Sequence, residues 1–103
     1  MTRDELLDKL IPALRSGKYR QARGSLLAHN GARCCVGLAA KIMGLSVWVS
    51  YGDDDDDDHP NHDAYNAVRK IGLPVEAMVT LNDIKRLTFP EIADWLEEWR
   101  SKQ

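Results

Sequence analysis

Cysteine is scarce in this chain: there are two, Cys34 and Cys35, side by side. That excludes a disulfide framework, and neighbouring thiols lack the Cys-x-x-Cys spacing that aims two thiolates at one zinc. Long hydrophobic runs are missing too. No stretch approaches the ~18 apolar residues that a membrane-spanning helix needs. The opening "MTRDELLDKLIPALRSG" lacks the apolar core of a secretory signal. The expectation is a cytoplasmic protein with reduced cysteines and no membrane partner. Repeats, linkers and any sign of a second domain are absent as well, so residues 1–103 read as one compact domain.

What is present can form a core. Apolar residues make up 44% of the chain, and a domain of this size buries about two-thirds of its unfolded surface without a metal or disulfides. The net charge of −2 conceals an asymmetry. Residues 1–50 carry eight Lys/Arg and three acids, and residues 51–103 carry six Lys/Arg and thirteen acids. Six of those acids form one run, Asp53–Asp58. A near-neutral total therefore does not exclude a phosphate-bearing partner.

Local patterns place the elements. Thr2 and Glu5 have capping-box spacing, and Leu6, Leu7, Leu10, Ile11 and Leu14 recur at helical intervals. Pro12 predicts a kink or a break with restart. Asn30-Gly31 is a hairpin signal, which predicts short strands near Ser25–His29 and Ala32–Cys34. "CCVGLAAKIMG" reads as a tightly packed helix, with Gly37 placed where another backbone approaches. "LSVWVSYG" alternates like a half-buried strand. A helix from Asn61 buries Tyr65, Val68 and Ile71, and a short one follows Pro74. The last begins at the Thr88/Glu91 capping box and buries Ile92, Trp95, Leu96 and Trp99. The predicted class is α+β: four to five helices with a short antiparallel sheet or hairpin.

Several groups are candidates for chemistry. Cys34 and Cys35 point about 100° apart on a helix, so they cannot serve one substrate. Their reading is a pair of core residues; a nucleophile would need His29, and zinc would need His29, His59 or His62. The aspartate run with "HPNHD" lacks the glycine and spaced ligands of a calcium loop, and reads as a solvated tip. The arm "RSGKYRQAR" places Arg15, Lys18, Arg20 and Arg23 around Tyr19 without one acid, a pattern suited to phosphate or an acidic partner. Asn82 and Asp83 either bond to loop amides or face a pocket. "LTFPEIADWL" is a poor DNA-reading helix, because Glu91, Asp94, Glu97 and Glu98 would oppose phosphates. No catalytic residue, cofactor or metal is expected. The binding candidates are Arg15, Lys18, Tyr19, Arg20, Arg23, Asn82 and Asp83.

The motifs "ALRSGKYRQARGSL", "NGARCCVGLAAKIMG", "TLND" and "LTFPEIADWLEE" together resemble a family of small, uncharacterised phage and prophage proteins. Its members pair "ALRSG-Y-Q" with a "CCLG" helix, a later "LND" and a closing "F-EIA-WI" helix. The resemblance implies a phage-borne protein of the bacterial cytoplasm and brings no catalytic residue. The resulting expectation is a small non-catalytic binding protein acting on a host protein or complex, with inhibition of a bacterial defence system as a natural role. One alternative is a ligand-sequestering protein or small enzyme with a pocket near the Cys helix and the Asn-Asp turn, taking a phosphate-bearing small molecule. The other is a nucleic-acid-binding accessory protein.

Overall fold

A computed structural model describes residues 1–49 and 60–103. Five α-helices account for most of it: α1 (Arg3–Arg15), α2 (Cys35–Ile42), α3 (Pro60–Lys70), α4 (Val75–Val79) and α5 (Phe89–Ser101). A π-helical turn, Thr80–Ile84, continues α4. None of these helices is long and apolar enough to cross a membrane.

The fold is all-α, which corrects the α+β expectation. Of the described residues 59% are helical and none forms a strand. The chain does reverse near Asn30-Gly31: Gly31 N–H donates to Ala28 O (3.0 Å) and Ala28 N–H to Ala32 O (2.8 Å). Gly31 is at φ 83°, whereas Asn30 is not in the positive region, so this is a three-residue loop and not a type I′ turn. The ladder stops there because its donors go elsewhere. Ala32 N–H bonds to Asn30 Oδ1 (3.0 Å). Arg33 N–H reaches Arg20 O (2.9 Å) and Cys34 N–H reaches Ser25 O (3.0 Å). Among the described residues, all that survives of a sheet is one isolated parallel bridge, Gln21 to Arg33.

The expected strand from Leu45 is irregular through Val49, and its remainder lies outside the described residues, as do the aspartate run and His59. In place of a sheet neighbour, one side chain serves. Asn61 Oδ1 accepts from Trp48 N–H (2.8 Å) and Asn61 Nδ2 donates to Trp48 O (3.0 Å).

The other elements follow the local rules closely. Both capping boxes form, at Thr2/Glu5 and Thr88/Glu91. α1 runs on through Pro12 as one helix, so of the kink or break expected there the break does not occur. Pro12 and Asp8, whose carbonyl loses its helical donor, both lie exposed. α1 and α5 pack antiparallel, their apolar stripes (Leu6, Leu10, Leu14; Ile92, Leu96) fully buried. Ion pairs flank the seam: Arg15 with Asp94 and Glu97, and Arg100 with Asp8 (2.8 Å).

α2 is the centre of the molecule, with every residue from Cys35 to Ala40 buried. Gly37 permits this. A Cβ there would lie 2.0 Å from the Leu26 carbonyl oxygen, so the 25–28 segment can press directly onto the helix.

Candidate functional site

The structure draws part of the predicted site together around Asn82, which is fully buried. Its Oδ1 accepts from Gln21 Nε2 (2.9 Å) and from Cys35 N–H (3.3 Å). Its Nδ2 donates to Ala22 O (2.8 Å) and Asp83 Oδ1 (2.7 Å). Its carbonyl accepts from Arg23 Nη1. Asp83 Oδ1 also accepts from Gly24 N–H (2.8 Å), and Gln21 Nε2 reaches Leu87 O (2.8 Å). The π turn is what allows this, because the extra residue in its turn aims Asn82 inward while Asp83 meets the arm.

Arg23, Asn82 and Asp83 therefore meet, Arg23 on the Asn82 backbone carbonyl and the Asn82 amide on the Asp83 carboxylate, and their bonds are made within the molecule. They fasten the arm to the π turn. Sequence reading missed Gln21, the side chain that reaches both Asn82 and Leu87. The nearest signal was its place among the basic residues of "YRQAR".

The cysteines complete this junction. Cys34 caps α2, its Sγ accepting from Gly37 N–H (3.4 Å), and Cys35 Sγ donates to Met78 O (3.4 Å). Both thiols are free and buried. Burial pushes the Cys34 thiol up to about 11 and moves Cys35 in the same direction. Such thiols are protonated at neutral pH and poor nucleophiles. Among the described residues no three His, Cys, Asp or Glu side chains converge as a metal site would require.

Arg15 is held away from the rest of the arm. Its guanidinium grips Glu97 through two bonds (3.0 and 2.8 Å) and Asp94 through a third (2.7 Å). That fork holds the Glu97 carboxyl below the usual carboxylate range. The other acids of α5 are engaged too: Glu91 closes the capping box and Glu98 pairs with Lys102 (3.1 Å).

Lys18, Tyr19 and Arg20 remain together. With Gly17, Asn30 and Gly31 they line an open hollow of ≈ 520 Å³. Lys18 and Arg20 are exposed, with no ion-pair partner among the described residues, and Tyr19 is half-buried against the core. Asn30 and Gly31 enter this site through the chain reversal, a role their turn signal did not announce. A second cleft, ≈ 470 Å³, lies between α3 and α4 beside Tyr65 and Val79. There Arg69 and Glu76 neutralise each other (2.7 Å).

No family model matches the chain, and no curated protein and no solved structure does. The likeness to phage and prophage proteins rests on the four motifs alone.

Proposed function

We propose that this chain is a small non-catalytic binding protein that engages an anionic component of a bacterial host cell through Lys18, Tyr19 and Arg20. One observation carries the reading. Most other cations near the arm are engaged within the molecule, whereas these two stand exposed without an acid, beside an aromatic ring and an open hollow. Arg23, Asn82 and Asp83 act at one remove, by fixing the course of the arm. The phage or prophage setting implied by the motifs makes a host defence component a natural target.

The test is capture from bacterial host lysate with wild type and with Lys18→Glu/Arg20→Glu, at low and high salt. Exposed Lys and Arg contacts weaken with salt. The same captured component should disappear in the variant and in high salt. A component retained equally by both proteins would overturn this use of the arm.

A further inference from the structure

Resting on that reading of the arm, we infer that the anionic partner is a single-stranded nucleic acid, and that its surface continues onto the Ile84–Lys85–Arg86 corner. The hydrogen bonds around Asn82 put the two segments side by side. Arg23 Nη1 bonds to Asn82 O and lies 3.4 Å from Leu87 O, and Gln21 Nε2 also bonds to Leu87 O. Lys85 and Arg86, absent from the sequence-derived site, are thereby anchored beside the arm. Residues 17–33 and 80–87 hold six Lys/Arg (Lys18, Arg20, Arg23, Arg33, Lys85, Arg86) and a single acid, Asp83. Asp83 is itself engaged by Gly24 N–H and Asn82 Nδ2. Lys18, Arg20, Lys85 and Arg86 are exposed, with no ion pair among the described residues.

Two further features select the partner. Ile84 is 74% exposed directly before the two corner cations, and Tyr19 lies between the two arm cations. Apolar and aromatic faces interleaved with cations suit bases strung on a phosphate chain, since every base offers a face to stack. An acidic peptide would use the charges and leave those faces idle. The cations sit in loops, and α5, the helix that follows the corner, presents carboxylates. Among the described residues no basic helix beside these cations is offered to a duplex groove. The corner is also held in place: Lys85 N–H donates to Thr80 O and Leu87 N–H to Leu81 O (both 2.9 Å). Between them Arg86 adopts φ 58°, a left-handed conformation unusual for a non-glycine residue.

The experiment is fluorescence anisotropy with a labelled oligothymidylate of about 20 nucleotides, long enough for a site of this kind. Polyglutamate of matched charge is the second probe. Three double variants each remove two positive charges: Lys18→Gln/Arg20→Gln in the arm, Lys85→Gln/Arg86→Gly at the corner, and Lys9→Gln/Lys70→Gln elsewhere. Glycine suits the left-handed position, so the corner variant keeps its fold. The oligonucleotide should bind wild type with steep salt dependence and outcompete polyglutamate. Each lost phosphate contact flattens the log–log salt slope by roughly 0.7. Arm and corner variants should both show that loss and the distant pair should not. Tyr19→Leu and Ile84→Ser should weaken the oligonucleotide about tenfold or less, with the slope unchanged. If the corner variant behaves like the distant pair while the arm variant fails, the corner is overturned and the arm reading stands. If polyglutamate binds as well as the oligonucleotide, and both depend on the arm, the nucleic-acid assignment is overturned alone. If wild type binds neither probe, both readings fall.

Discussion

The α1–α5 pair and the junction of the arm with the π turn are held together by opposite means. Across the helical pair, leucines and isoleucines interlock along two regular stripes, and the polar contacts sit outside on an exposed rim. At the junction there is no repeating pattern. One buried amide, Asn82, connects Gln21, Ala22, Cys35 and Asp83. A stripe distributes its stabilisation over many residues, so no single polar group is indispensable. A hub concentrates it, and removing one side chain strands several buried partners at once.

The largest predicted effect follows from that contrast. Asn82→Ala leaves the Cys35 amide and the Ala22 carbonyl without their partners and opens a void. It should cost about 3–4 kcal/mol in urea unfolding. Asn82→Asp should also be strongly destabilising, because it loses both donors and places a charge beside Asp83. A loss below about 1 kcal/mol for the alanine variant would show that the junction is not a hub.

The second prediction uses the buried thiols beside the hub. In the unfolded chain Cys34 ionises near 9, and in the folded protein burial raises it to about 11. A raised acid pKa means the unfolded state releases its proton first. The contribution is therefore intact below pH 9 and is lost as pH climbs from 9 to 11. Two units correspond to about 2–3 kcal/mol for Cys34, and Cys35 is shifted in the same sense. Tyr65, also raised by burial, adds to the decline only above the ordinary tyrosine range. Measuring stability against pH for wild type and Cys34→Ala/Cys35→Ala separates these. The variant should start lower and lose much of the slope between pH 9 and 10. An unchanged slope would mean that the thiols are not buried as described.

The same contrast explains what could be read from the sequence. α1 and α5 announce themselves through capping boxes and 3.6-residue periodicity, both properties of neighbouring residues. Gly37 was legible because a glycine inside an otherwise strong helix needs a reason, and the Leu26 carbonyl is that reason. The sheet was misread because Asn30-Gly31 encodes a reversal but not what its flanks bond to. Their donors go to Arg20 and Ser25, choices made by tertiary packing. Of the candidate site, the basic arm was visible as composition. Its division into an engaged Arg15 and exposed Lys18 and Arg20 was not, since Asp94 and Glu97 lie about eighty residues away in sequence. The Asn82 hub was hidden for the same reason: three of its side-chain bonds reach partners 47 to 61 residues distant.

The smallest predicted effect sharpens the comparison from the helical side. Arg15 makes three bonds to two carboxylates, more than any other ion pair in the α1–α5 seam. By bond count it would rival Asn82. Its surroundings say otherwise, because both carboxylates are more than half exposed and the guanidinium side chain is itself exposed. Water screens the attraction, and fixing three long side chains costs rotamer freedom. Arg15→Gln should therefore shift the unfolding midpoint only slightly, and the difference from wild type should shrink further in high salt. The leucine stripe beneath carries the seam without help. Should Arg15→Gln destabilise as severely as Asn82→Ala, in low and high salt alike, burial would not be what separates the two regions. The α1–α5 seam would then be a polar junction like the other.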